Sequence, residues 1–219
     1  MLVTAQDMYD AFLLGLDKYN THTIYPEEWE IIINKVQLDT VENRYSEVEE
    51  IQKRMDDLRV LKTVQNIPNT GTNVAGGEIF ELPADYLHML NVSIDLEYVD
   101  DECCRTGKSG FKKVKPMKSD KKYEIADDPF NKPTNDRLYY DLIGTQILPI
   151  TGTSSYATDC RIEYLRYPVR IEIVNAQVDC ELPMHIRQEI VDVAVRQTLE
   201  QIESGRYQSQ LNENRLNIN

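Results

Sequence analysis

A chain of 219 residues with 41% hydrophobic content is long enough to bury a real core, which excludes disorder as its ground state. Lys and Arg total 24 against 37 Asp and Glu, a net charge of −13, the reverse of the balance with which a protein grips nucleic acid through its phosphates. No stretch approaches the roughly 18 consecutive apolar residues that cross a bilayer as a helix, and the opening MLVTAQDMYD lacks a basic region followed by an apolar one, so the expectation is a soluble protein made in a cytoplasm.

Thr4 followed by Asp7 has the spacing of a helix N-cap with an acid at the third helical position, and Tyr9, Phe12, Leu13 and Leu16 then share a face. A helix of about four turns is predicted. The segment Asn20 to Tyr25 breaks it, and Pro26 with Glu27 and Glu28 suits the first turn of a second helix. Its buried stripe is Trp29, Ile32, Ile33 and Val36. From Val41 the series Val41, Tyr45, Val48, Ile51, Met55, Leu58 predicts a long amphipathic helix, continuous with the second or hinged from it. Its charged face reads as a solvated surface or as the side of a subunit in an oligomer.

Asn66 to Gly77 is dense in turn formers and reads as a loop or an irregular hairpin. Leu90, Val92, Ile94, Leu96 and Tyr98 alternate with polar residues, the period of a strand with one face buried. Further strands are predicted at Phe111–Val114, Arg137–Leu142, Gln146–Ile150 and Cys160–Tyr167, with a short helix at Asp120–Asp128 before Pro129. Pro183 opens a helix of about 20 residues carrying Ile186, Ile190, Val191, Ala194, Val195, Leu199 and Ile202, which Gly205 can end. Tyr207 to Asn219 is rich in Asn and Gln and reads as a polar tail that orders on a partner. The order implies an α+β protein: a helical bundle of residues 1–62 and 183–206, a β-rich insertion at 63–182 and a C-terminal tail at 207–219.

Chemistry is sparse. Cys103, Cys104, Cys160 and Cys180 form no Cys-x-x-Cys pair, and His22, His88 and His185 are scattered, so no metal site is expected. Glu102-Cys-Cys-Arg-Thr-Gly-Lys-Ser-Gly110 contains the Gly-Lys-Ser ending of a phosphate loop, but Glu102 stands where the first glycine belongs. Phe111 to Pro116 is also too short and basic to be the helix that such a loop requires, so a β-hairpin tip with Gly107 and Gly110 in the turn is the expectation. Asp56-Asp57 and Asp127-Asp128 are unremarkable in so acidic a chain, and no Gly-x-Ser-x-Gly elbow is present. Catalytic, cofactor and metal residues are accordingly expected to be absent, and the protein is not read as an enzyme. The lysines at 108, 112, 113, 115, 118, 121 and 122 are unusual against the acidic background; they suit an acidic neighbouring subunit, DNA or simple solvation. Thirteen tyrosines against four phenylalanines suit extensive protein contacts. Candidate partner-binding residues are Tyr207, Leu211 and Leu216 in the tail and Lys112, Lys113 and Lys115 in the basic segment.

Four segments, in order, resemble the head-to-tail connector proteins of tailed bacteriophages. Phe80-Glu-Leu-Pro-Ala-Asp-Tyr-Leu-His-Met-Leu90 is similar to their short strand, Pro-Asp-Tyr-type turn and long strand. Glu163-Tyr-Leu-Arg-Tyr-Pro-Val-Arg170 resembles their Tyr-x-x-x-Pro strand exit, and Glu181-Leu-Pro-Met-His-Ile-Arg-Gln-Glu-Ile190 their C-terminal Leu-Pro helix. Asp127-Asp-Pro-Phe-Asn-Lys-Pro133 resembles an Asn-Pro-Phe-x-x-Pro segment of ring proteins in crAss-like podoviruses, with Asp128 in place of the Asn. The resemblance implies a virion structural protein: a ring, commonly of twelve copies, beneath the portal, touching portal and adjacent tail or ring proteins, with DNA passing through its lumen unbound. It implies no catalytic residue, cofactor or membrane contact. Two other classes are consistent with the residues: a monomeric, carbohydrate-directed binding module, and a nucleotide-dependent enzyme using Gly107-Lys108-Ser109.

Overall fold

The computed structural model describes residues 4–16, 24–46, 56–72, 77–98, 107–117, 128, 130–134, 136–151 and 155–216. The fold is α+β, with three helices and an eight-stranded curled sheet among the described residues. Two compact units make it up, one of residues 1–60 with 168–219 and one of residues 61–167.

In the first unit, α1 (Ala5–Gly15) begins at the predicted capping box: the Thr4 hydroxyl accepts from the Asp7 N–H at 3.1 Å and Asp7 returns the bond to the Thr4 N–H at 3.0 Å. Ala5, Met8, Phe12 and Leu16 are its buried positions, while Tyr9 stands edge-on to Trp29 and donates its hydroxyl to the Ile24 carbonyl. Helix α2 (Pro26–Ser46) starts at the predicted proline and runs without interruption through Val41 and Tyr45, so no hinge separates those positions from Trp29, Ile33 and Val36. Val48, Ile51 and Met55 lie outside the described residues.

Helix α3 (Met184–Leu216) begins directly after Pro183, whose carbonyl accepts from the Ile186 and Arg187 N–H groups. It does not stop at Gly205. A glycine inside a helix costs only about 1 kcal/mol, less than an established helix flanked by Glu, Arg, Gln and Leu can absorb. Residues 207–216 are therefore helical rather than an irregular tail. Where α1 meets α3, Gly15 is required sterically: a Cβ there would stand 2.8 Å from a methyl of Val195.

The sequence reading carries the β-rich part to residue 182, whereas the contacts divide at 167. The reason is a polar stripe on α2. Asn34 donates to the Ile171 carbonyl at 2.9 Å and accepts from the Ile171 N–H at 2.8 Å, pairing as a strand would. Glu30 accepts from the Ile173 and Val174 N–H groups at 2.6 and 2.9 Å, and Gln37 reaches the Val169 carbonyl at 3.4 Å. Positions 30, 34 and 37 fall on one helix face, so an extended segment is held against α2 by side chains in place of a sheet partner.

The second unit holds β1 (Lys62–Pro68), β2 (Gly71–Thr72), β3 (Glu78–Glu81), β4 (Tyr86–Tyr98), β5 (Gly107–Pro116), β6 (Tyr139–Ile143), β7 (Gln146–Ile150) and β8 (Ser155–Arg166), in the sheet order β1-β8-β4-β5-β6-β7-β3-β2. Asn66, Ile67 and Pro68, read as loop, are the end of β1 opposite Arg161, Cys160 and Asp159. Proline is tolerated there because β1 is the last strand in the order. The sheet curls until β3 also approaches β1 and β8. Its inner face is the core, with Ile67, Phe80, Val92, Ile94, Leu96, Val114, Ile147, Cys160, Ile162 and Tyr164 buried together. Of the helix predicted at Asp120–Asp128, residues 120–127 lie outside the described residues and Asp128 is not helical.

Replacing Asn34 by Ala strands a buried N–H and carbonyl of Ile171, a residue with no exposed surface. The expected loss is about 1–3 kcal/mol of folding stability, read from urea unfolding, with the exposed Lys35→Ala as an unaffected control.

Candidate functional site

Among the described residues no group of three or more His, Cys, Asp or Glu side chains is placed to hold a metal ion. What the sheet and helices position are four local constructions, each built on a segment the sequence singles out or on its neighbour in space.

The first joins the turn before β4 to the end of β8. The Pro83-Ala84-Asp85 turn closes with the Tyr86 N–H on the Pro83 carbonyl, and β4 follows at once. The Asp85 carboxylate accepts from the Tyr164 hydroxyl at 3.0 Å, and its backbone carbonyl accepts from the Tyr167 N–H at 2.8 Å. Tyr86 pairs with Arg166 across the ladder, and its ring lies 6.1 Å from that of Tyr164. The segments beginning at Phe80 and at Glu163 thus form one clamp. Burial pushes the Tyr164 hydroxyl up to about 12, with the bond to Asp85 adding to the shift.

The second is the Asp128 turn. Asp128 Oδ1 accepts from the Phe130 N–H at 2.8 Å and Oδ2 from the Asn131 amide at 2.6 Å, while its carbonyl accepts from the Lys132 N–H at 2.9 Å. This is an Asx-type turn. The Phe130 N–H is the main cause of an Asp128 carboxyl held below its ordinary range, with the Asn131 amide second. An Asn at this position offers the same oxygen to the same N–H, which is the physical reason that Asp can stand where the related segment has Asn. Phe130 itself projects, 83% exposed.

The third is β5. Gly107 lies opposite Tyr98 and Lys108 opposite Glu97, so Gly-Lys-Ser is part of a strand and not a loop leading into a helix N-terminus. That removes the geometry a nucleotide phosphate needs at this place. Gly110, at φ 75°, does not form the turn either. It supplies the extra residue of a bulge between Lys108 and Phe111. The residues at 99–106, with Cys103 and Cys104, lie outside the described residues.

Past the bulge the strand alternates. Val114 faces the core; Phe111, Lys113 and Lys115 take the other, outer face. There the Arg161 guanidinium sits 4.0 Å over the Phe111 ring and donates to Asn66 at 2.9 Å, in one row with Ser93 and Lys113. Lys112, on the core side, is tied to Asp136 at 2.9 Å.

The fourth is a cleft of about 520 Å³ in the helical unit, lined by Asp39, Thr40, Glu42, Asn43, Arg44, Glu189, Val193 and Gln197. Arg44, the single cation among the described lining residues, is held by Asp57 at 2.6 Å and by Glu189. Asp57 also accepts from His185 at 2.9 Å.

The model of the family described as phage tail ring protein 3/4 matches residues 13–210, spanning both units. The chain belongs to this family of crAss-like phage ring proteins. No curated protein matches it. Of the residues singled out from sequence, Lys113 and Lys115 share an exposed outer face, Lys112 is turned away and paired, and Tyr207, Leu211 and Leu216 sit on the last turns of α3. Lys118, Lys121 and Lys122 lie outside the described residues. Phe130 was within reach of sequence reasoning, since Asp followed by Pro, Phe and Asn is an Asx-turn pattern. The cleft was not, because its walls are separated by about 150 residues of sequence.

Two measurements check these constructions. Tyr164 stays neutral in the folded state to about pH 12 and ionises near 10 when unfolded, so its contribution is full below 10 and lost as pH rises through that window. Tyr164→Phe is expected to cost about 1 kcal/mol at neutral pH and to flatten the decline in urea midpoint above about pH 10. Phe130→Ala is expected to leave the melting temperature within about 1 °C, because so exposed a ring contributes little to folding.

Proposed function

We propose that this ring protein forms a head-to-tail connector ring beneath the portal, of twelve copies, that continues the DNA channel toward the tail. The observation that carries this is the family match over residues 13–210, joined by the ordered resemblance of four segments to connector proteins. The chain is read as a helical unit with a β-rich module inserted between α2 and α3, a division that presents several different surfaces to neighbours. The net charge of −13 supports a lumen that repels the phosphate backbone and lets DNA pass. Portal and adjacent ring or tail proteins are the expected partners, with the end of α3, from Tyr207 through Leu211 to Leu216, as a docking element.

Native mass spectrometry of the purified chain, alone and with the portal, tests the reading. A closed ring or a portal-bound assembly is expected, and a truncation after Arg206 is expected to weaken portal association while leaving the β unit folded. A single copy under both conditions favours an isolated binding module instead.

A further inference from the structure

We infer that the acidic cleft between α2 and α3 receives the outer-face lysines of β5, Lys113 and Lys115, from a second copy of the chain. This rests on the ring reading above and names the contact that closes the ring. A ring of identical subunits is held by a heterologous contact, so each subunit must carry two different patches that fit one another. The two patches here are opposite in charge and matched in spacing.

On the acceptor side the cleft has the volume to admit side chains, and among its described lining residues the acids outnumber the one cation. Arg44 is already engaged by Asp57 and Glu189, which leaves Asp39 and Glu42 without a cation of the lining to answer them. They stand three residues apart on α2, which places their Cβ atoms about 5–6 Å apart on one face. Thr40, between them in sequence, turns its hydroxyl back to the Val36 carbonyl and is satisfied. Asn43 and Gln197 add amides at the walls.

On the donor side, two residues along a strand separate Lys113 from Lys115 by about 6.5–7 Å on the same face, close to the carboxylate spacing. Both are exposed. Their neighbours on the sheet are occupied otherwise: Lys112 by Asp136, Lys62 by Glu163, and Arg161 by Asn66 and the Phe111 ring. The strand is held in the sheet by β4 along its length and by β6 at Lys115 and Pro116, so the two ammonium groups are carried on a fixed backbone and lose little freedom when they dock.

Charge reversal tests this directly. One variant carries Lys113→Glu with Lys115→Glu, the other Asp39→Lys with Glu42→Lys. Each alone brings like charges together in every contact, and self-association is expected to weaken by about tenfold or more, while circular dichroism stays that of the wild type. An equimolar mixture restores opposite charges at both kinds of contact, so the two variants are expected to co-assemble with alternating subunits, as is the chain carrying all four substitutions by itself. Assembly of either variant alone at wild-type strength overturns the inference and leaves the ring reading standing. So does a mixture that fails to co-assemble although both variants are folded. A wild-type chain that stays a single copy, alone and with the portal, removes the ring reading itself and the inference with it.

Discussion

The antiparallel pairing of β4 with β8 is the interaction on which the β unit depends. These are the two longest strands, of 13 and 12 residues, and they pair from Tyr86 opposite Arg166 to Tyr98 opposite Ser155. β1 adds to the outside of β8 and β5 to the outside of β4, so the rest of the sheet is laid down relative to this ladder. The Asp85 clamp holds one end of it. A tyrosine hydroxyl and a backbone N–H, both from the end of β8, converge on the residue that precedes β4, which ties the start of one long strand to the end of the other. Register shifts between Tyr86 and His88, between Met89 and Asn91 and after Asp95 bend the pair, and that bending lets one face close over a single core.

The helical unit solves a different problem. The helices must also hold the segment from Pro168 to Pro183, which belongs to no named strand. Only an isolated bridge between Glu172 and Val178 pairs that segment with itself. Backbone groups at Val169, Ile171, Ile173 and Val174 are met by side chains: Asn34 and Glu30 from α2, and Glu181, which accepts from the Val169 N–H. Polar residues on a helix face that would ordinarily be solvated are therefore structural, since an unmet buried N–H or carbonyl costs as much as a lost packing contact. Close approach of α1 to α3 at Gly15 completes the unit.

Both units keep their buried groups apart from the exposed side chains they carry. The two buried cysteines illustrate the separation: burial pushes the Cys160 thiol up to about 12 and raises that of Cys180, so both behave as small apolar groups in their cores. The exposed aromatic at Phe130 and the lysines on the outer face of β5 sit on backbone fixed by an Asx turn and by strand pairing respectively. Rigid presentation of this kind reduces the entropy lost on association.

Much of the local structure was legible in the residues themselves. Thr4 with Asp7, Pro26 and Pro183 mark helix starts because each satisfies or dispenses with a terminal N–H locally, and the alternation from Leu90 to Tyr98 marks a half-buried strand because side chains in a strand point to alternate faces. Where neighbouring context overrode a local signal the reading failed, as at Gly205, which the helix runs through, and at Gly110, which makes a bulge and not a turn. The charges of the cleft, the pairing of Asn34 with Ile171 and the meeting of Asp85 with Tyr164 were decided only by the tertiary structure. Sequence by itself determined which residues cap, break and alternate, since those depend on neighbours a few bonds away. Which distant backbone or side chain each buried polar group would meet depends on how the elements pack, and no local period carries that information.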